Sequence, residues 1–78
     1  MTLEQVGADV AGVSVTVNGE CRSAPSGSSL HDLLESLGFA ARPVAVEVDG
    51  QVVPRGRFAD RRLAGGESIE IVTFVGGG

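Results

Sequence analysis

The sequence contains no lysine and a single cysteine, Cys21, among its 78 residues. Without lysine, chemistry that depends on a lysine amine, such as Schiff-base formation, is excluded. A lone cysteine excludes an internal disulfide framework and an iron–sulfur cluster of the ferredoxin type, which takes several cysteine ligands. One thiol in so short a chain is typical of a reducing compartment, and we expect a cytoplasmic location.

Long apolar runs and an excess of basic residues are also missing. No stretch approaches the roughly 18 apolar residues of a membrane-spanning helix, and the start lacks the cationic region of a secretory signal, so we expect no membrane association. Ten acidic residues against six arginines give a net charge of −4. This balance disfavours nucleic acid as a ligand and favours a basic partner surface. The length suits one small domain.

Alternating apolar residues predict a β-hairpin after a featureless start. Residues 1–12 show no periodic pattern, and we expect a flexible N-terminal tail there. From Val13 the run VSVTV alternates valines with small polar residues, as a half-buried strand does. Asn18 and Gly19 follow, a strong two-residue hairpin signal because both residue types tolerate positive φ. Residues 20–24 are then predicted to form the returning strand.

Helical spacing predicts one amphipathic helix in the middle of the chain. Ser29 and Asp32 resemble a capping box in which Asp replaces the usual Glu, and Gly38 stands where a helix stop is expected. His31 and Glu35 lie off the apolar stripe, on a face that we expect to be solvated. The stripe itself is formed by leucines at i, i+3, i+4 and i+7: Leu30, Leu33, Leu34 and Leu37.

A second hairpin and a last strand are predicted after the helix. The run VAVEV at 44–48 alternates, a turn follows at Asp49, and a fourth strand covers 51–53 until Pro54 ends the pairing. A single helical turn is expected near Phe58. The last predicted strand is 68–75, with alternating residues on opposite faces: Ile69, Ile71 and Thr73 on one, and Glu70, Val72 and Phe74 on the other.

These elements favour an α+β fold. The leucine stripe of one helix can cover only one face of the sheet. The first and last strands have the most regular apolar faces, which favours central positions for both. If they are neighbours they run parallel with a hairpin on each side, which is the β-grasp (ubiquitin-like) arrangement: a mixed sheet of four to five strands with one main helix on one face. Other layouts of the same elements remain open from the pattern alone.

The chain resembles the ThiS family, the bacterial sulfur-carrier proteins of thiamine biosynthesis, from about residue 13 to residue 78. The resemblance rests on VNGE, SLHDLLESLG, the block VAVEVDGQVVPRGRFADRRLAGGESIEIV and the ending VGGG. Two features depart from the family pattern. The segment before Val13 is longer than usual, and Phe58 stands where many members have tryptophan. On this interpretation residues 13–75 form the β-grasp domain and 76–78 a flexible, reactive glycine tail.

The resemblance implies that this protein is not an enzyme but a co-substrate of other enzymes. The α-carboxylate of Gly78 is expected to be adenylated with ATP by an adenylating partner of the ubiquitin-activating (ThiF) type. A cysteine desulfurase or another sulfur donor then supplies sulfur, and the resulting thiocarboxylate donates it to thiazole synthase (ThiG type). Gly76 and Gly77 thread the partner's active site, because residues without Cβ atoms fit a narrow channel. No bound cofactor and no metal are expected.

Three further features admit a functional interpretation. Val72 and Phe74 are predicted on the face that the helix leaves open and, with Val75, are expected to dock partner proteins. Cys21 is interpreted as a small apolar strand residue rather than a redox thiol. The remaining feature is a set of arginines that either binds an anion or, as we expect, is solvated with the last two facing Asp60 and Glu67: Arg55, Arg57, Arg61 and Arg62.

Rival functions remain open at this stage. A carrier for molybdopterin or for a secondary metabolite would use the same tail chemistry, although the VVPR block and the VGGG ending favour the thiamine type. A non-covalent β-grasp binding module, which would recognise RNA or a signalling partner, is the alternative from another class. Such a module should tolerate removal of the tail, whereas a carrier should not.

Overall fold

The computed structural model describes residues 12–74, and residues 1–11 and 75–78 lie outside that range. Val75, which we predicted in the last strand, and the predicted tail 76–78 are therefore among the residues not described. The elements follow each other in the order β1 (Gly12–Val17), β2 (Glu20–Pro25), α1 (Leu30–Ser36), β3 (Val44–Val48), β4 (Gln51–Val53), a short 3₁₀ helix (Arg55–Arg57) and β5 (Ser68–Thr73).

The strands form one mixed sheet in the order β2-β1-β5-β3-β4. The first and last strands lie side by side and run parallel, with Val17 opposite Ile69. On its other side β1 pairs with its hairpin partner β2, and β5 pairs with β3 of the second hairpin, both antiparallel. The predicted β-grasp arrangement is confirmed. Three strand boundaries differ from the prediction. Gly12, assigned above to the N-terminal tail, is the first residue of β1 and pairs with Pro25, which extends β2 by one residue. The last strand, predicted over 68–75, ends at Thr73, so Phe74 lies just beyond it.

Both hairpins turn through residues with positive φ. Asn18 and Gly19 have φ values of 50° and 87°, and Asp49 and Gly50 have 51° and 83°. This is the backbone of a type I′ turn, whose twist matches that of the flanking strands. Among the described residues, Asn18 and Asp49 are the two non-glycine residues with positive φ. Asn and Asp tolerate this region better than other side chains do.

The core lies between α1 and one face of the sheet. Alternate residues of β1, β3 and β5 point toward the helix, which buries its leucine stripe against them. Phe58, at 5% exposure, packs into the core from the segment after β4. As predicted, His31 and Glu35 are exposed on the outer side of the helix. No helix in residues 12–74 is long and apolar enough to cross a membrane.

The backbone N–H groups at the start of α1 donate to acceptors from two parts of the chain. Ser29 and Asp32 form the predicted capping box, in which the Asp32 amide donates to the Ser29 hydroxyl (3.1 Å) and the Ser29 amide to the Asp32 carboxylate (3.0 Å). The loop after the 3₁₀ helix supplies the rest, because the Leu30 amide donates to the Arg61 carbonyl (2.7 Å) and the His31 amide to the Phe58 carbonyl (3.0 Å). The first-turn N–H groups, which a helix alone leaves unpaired, all have acceptors.

The arginines of the 3₁₀ helix and of the loop after it donate hydrogen bonds to backbone carbonyls rather than to carboxylates. Arg55 donates to the Arg42 carbonyl (2.8 Å), Arg61 to the Arg62 carbonyl (3.3 Å) and Arg62 to the Gly27 carbonyl (3.0 Å). The expectation that Arg61 and Arg62 face Asp60 and Glu67 is wrong as a direct contact. Within residues 12–74 the salt bridge that forms joins Arg22 to Glu20 on β2. The loop's local shape brings carbonyl oxygens closer to these guanidinium groups than any carboxylate.

Glu67 is instead buried, at 6% exposure, just before β5. Its carboxylate accepts hydrogen bonds from the Ala64 amide (2.7 Å) and the Gly65 amide (2.8 Å) and so holds the turn that leads into the strand. Burial by itself would raise the pKa of Glu67. The amide donors of Ala64 and Gly65, with the amide of Glu67 itself and the nearby charge of Arg61, outweigh burial and hold the pKa below its ordinary value of 4.5. Nothing in the local sequence pattern indicated this role.

Glu67 should make the fold acid-sensitive. Because its pKa is lower in the folded than in the unfolded state, its stabilising contribution is complete above pH 4.5 and is lost as the pH falls through the lowered value. We expect Glu67→Gln to lower the free energy of unfolding at pH 7 by about 1.5–3 kcal/mol, the range for hydrogen bonds to a charged group. Urea unfolding between pH 7 and acid should then show a shallower acid loss for the variant. Parallel pH profiles for the two proteins would contradict this role.

Candidate functional site

The end of β5 carries an exposed apolar surface on the side of the sheet opposite to α1. Val72 is 57% exposed and Phe74 is 60% exposed. Ala45 on β3 is the cross-strand partner of Val72 and is also exposed. Ile71, which directly precedes Val72 in the chain, points the other way and is buried. The predicted orientation of Val72 and Phe74 is confirmed, and we call Ala45, Val72 and Phe74 the apolar patch.

Two carboxylates lie beside the apolar patch. Glu70 on β5 and Glu47 on β3 are direct cross-strand partners, and Val52 on β4, at 69% exposure, is the partner of Glu47 on its other side. Like charges placed opposite each other in a sheet are destabilising. The arginines of the chain lie in β2, in the loops and in the 3₁₀ helix, so neither carboxylate has a salt-bridge partner among residues 12–74. This part of the open face is therefore apolar and acidic.

The hairpin turns hold both ends of β5. The Asn18 side chain contacts Ile71 twice: its Oδ1 accepts from the Ile71 amide (2.8 Å) and its Nδ2 donates to the Ile71 carbonyl (3.2 Å). At the start of the strand, Asp49 Oδ1 accepts from the Ser68 amide (2.9 Å) and the Asp49 amide donates to the Ser68 carbonyl (2.8 Å). The strand that precedes residues 75–78 is thus fixed by contacts from two distant turns.

Cys21 lies on β2, well away from the end of β5 in the strand order. It pairs with Thr16 on β1, and its thiol is free and exposed. It is therefore an open-face residue, not part of the core cluster. In the described residues no group of three or more His, Cys, Asp or Glu side chains is placed to hold a metal ion.

The arginine-containing loop offers a shallow groove rather than a closed anion site. The groove lies at the β4 edge and is lined by Val52, Val53, Pro54, Arg57, Asp60 and Arg61. Asp60 places a negative charge among the arginines, and Arg61 already donates to a backbone carbonyl. Asp60 thus offsets one of the two arginine charges that line the groove, and Arg55, Arg57 and Arg62 are exposed, in line with the expectation that these arginines are solvated.

Comparison with known proteins identifies the family. The ThiS family model matches residues 15–78, which is most of the chain. The chain belongs to the ThiS family. The crystal structure of the thiamine biosynthesis protein ThiS from Geobacter metallireducens has the same fold, with a TM-score of 0.71 and 32% sequence identity over 85% of this chain and 100% of that one.

Two curated relatives of this ThiS-family chain differ in length. The sulfur carrier protein ThiS of Escherichia coli is 26% identical over 66 residues, which cover 85% of this chain and 100% of the relative. A thiazole synthase of Magnetococcus marinus is 42% identical over 66 residues, again 85% of this chain but 20% of that protein. The chain thus spans about a fifth of the length of the thiazole synthase that it matches.

Among the predicted site residues, Val72 and Phe74 come together on one surface. Val75, Gly76, Gly77 and Gly78 lie outside the described residues, so their roles stay predictions. The sequence reasoning missed the carboxylates Glu47 and Glu70, which share the open face with the apolar patch. The alternation of the last strand had already placed Glu70 beside Val72. The pairing with β3, which brings Glu47 next to it, depends on strand order and was not readable from local sequence.

Proposed function

We propose that this ThiS-family chain is a sulfur carrier of thiamine biosynthesis and acts through the α-carboxylate of Gly78. The match of the ThiS family model, which runs through Gly78, is the observation that carries this proposal. A C-terminal carboxylate is ionised at neutral pH, with a pKa of about 3.3–3.7, and is a poor electrophile. Activation by a partner is therefore needed before sulfur can be added.

The proposed chemistry has two steps on partner enzymes. A ThiF-type adenylating enzyme joins the carboxylate oxygen to the α-phosphorus of ATP, and pyrophosphate leaves. A sulfur nucleophile then attacks the acyl carbon, a C–S bond forms and the C–O bond to AMP breaks. Splitting the substitution in this way replaces a poor leaving group by a good one. With sulfide as the nucleophile the product is the thiocarboxylate, and no electron transfer is required.

Thiazole synthase is the proposed acceptor of the sulfur. The thiazole synthase of Magnetococcus marinus contains a stretch similar to this domain within a much longer chain. A carrier domain and its acceptor enzyme in one polypeptide would meet at high effective concentration. For a separate carrier, docking must replace that covalent link. We propose that the apolar patch, together with Val75, docks both the adenylating enzyme and the synthase.

The charge of the open face suggests the chemistry of the docking partners. Glu47 and Glu70 are cross-strand partners of like charge, which is unfavourable, and neither has a salt-bridge partner among the described residues. A partner that presents an arginine or lysine beside an apolar surface would relieve this repulsion and bury the patch at the same time. Such pairing contributes more to orientation and association rate than to affinity.

The tail chemistry is tested by intact-mass analysis. We expect incubation with ATP, sulfide and a ThiF-type enzyme to raise the mass of the chain by the difference between sulfur and oxygen. Cys21→Ser is the matched control and should gain the same mass, because the thiol is not the proposed acceptor. If Cys21→Ser gains no mass while the wild-type chain does, the thiol takes part in the transfer and its dismissal is wrong. An unchanged mass with a competent enzyme would overturn the proposal.

A further inference from the structure

The parallel ladder between β1 and β5 ends before β5 does. It runs from the bond between the Thr16 amide and the Glu67 carbonyl to the bond between the Asn18 amide and the Ile69 carbonyl, both 2.9 Å. The chain then turns back at Asn18, so no β1 residue stands beside Ile71. An unpaired N–H or C=O at that point would leave the strand free to fray, because strand edges without partners are held less firmly.

The Asn18 side chain takes the place of the missing strand residue. Its amide group presents one acceptor and one donor to the Ile71 backbone, at 2.8 and 3.2 Å, as a neighbouring peptide group would. The two residues are 53 positions apart in the sequence, so this contact is purely tertiary. A glycine at position 18 would also adopt the positive φ of the turn. The turn alone therefore does not require an amide side chain here.

We infer that Asn18 is a positioning residue for the carrier reaction, an inference that rests on the proposed function. Ile71 precedes the apolar patch residues Val72 and Phe74, and the proposed reactive carboxylate at Gly78 follows shortly after. By holding the Ile71 backbone on the β1 side while β3 holds the strand on the other side, Asn18 fixes the direction in which β5 leaves the sheet. Displacement of a reacting group by about 1 Å can cost about 100-fold in rate.

The second hairpin provides a matched control. Asp49 has the same positive φ, stands before a glycine in the same turn type and also holds β5, but at Ser68, the end far from the tail. Each of the substitutions Asn18→Gly and Asp49→Gly removes the side-chain hydrogen bonding of that turn to β5 and keeps the turn itself. Both should lower the melting temperature. Only Asn18→Gly should speed hydrogen exchange at the Ile71 amide while Ile69 stays protected.

The decisive measurement is ATP–pyrophosphate exchange by a ThiF-type enzyme with each carrier as substrate, at a temperature where all variants are folded. For Asn18→Gly we expect kcat to fall by about tenfold with little change in KM, because docking through the apolar patch is intact and only delivery of the carboxylate is impaired. Asp49→Gly should keep the wild-type kcat. Asn18→Asp keeps the acceptor for the Ile71 amide and should fall between the two.

The outcomes separate the positioning role from the proposed function. No exchange with the wild-type chain would refute the carrier proposal itself. Exchange with the wild type but an equal kcat for Asn18→Gly and Asp49→Gly would show that Asn18 is only structural and would overturn the inference. If Asn18→Gly does not fold, the same comparison is made with Asn18→Asp, for which a wild-type kcat has the same meaning.

Discussion

A chain that ends at Gly76 is expected to fold normally and to lose all sulfur-carrier activity. Gly77 and Gly78 have no side chains to pack, so we expect their removal to leave the melting temperature nearly unchanged. The new terminal carboxylate would stand two residues short, which shortens the reach of an extended chain by roughly 7 Å. The carboxylate could then no longer reach ATP in a closed partner site.

Growth of a strain that lacks its own ThiS, on medium without thiamine, measures this loss. The full chain should restore growth and the truncated chain should not. A chain with one alanine added after Gly78 is the control for position: it keeps a terminal carboxylate but moves it, and it should also fail. If the truncated chain supports growth, the last two glycines have no role in the mechanism, and a non-covalent binding module is favoured.

Phe74→Ala is expected to weaken binding to a ThiF-type adenylating enzyme while barely affecting the fold. At 60% exposure, Phe74 contributes little to the core of the free domain. As the aromatic member of the apolar patch it should act as an interface anchor, and its truncation should cost about 1–3 kcal/mol of binding free energy. Titration calorimetry and thermal melting of the same variant measure the two quantities.

Phe58→Ala is the matched control for Phe74→Ala, because the substitution is the same and the site is buried at 5% exposure. Removing this ring from the core should cost about 3–5 kcal/mol of stability. Leu33→Ala, on the buried face of α1, should cost about 2–5 kcal/mol for the same reason. If Phe74→Ala unfolds the domain as these variants do, and its folded fraction binds normally, the docking role is wrong.

Local sequence patterns were enough to predict each secondary-structure element to within a residue or two of its observed bounds. Valines at alternate positions, the Asn18-Gly19 turn and the Ser29 capping box depend on interactions between near neighbours in the chain. The same alternation placed Val72 and Phe74 on the open face, because side chains in a strand point to opposite sides in turn. The reactive role of Gly78 came from the family resemblance and not from any physical pattern.

The tertiary structure decided what depends on residues far apart in sequence. The parallel pairing of β1 with β5 was one arrangement among several, since local periodicity does not choose a strand's neighbour. That pairing brings the Asn18 amide to Ile71, and the β3–β5 pairing sets Glu47 opposite Glu70. From the sequence we expected Glu67 to be faced by an arginine at the surface. The loop instead buries its carboxylate against two backbone amides. Hydrogen bonds and charges act over a few ångströms of space, and only the folded chain determines which distant groups lie that close.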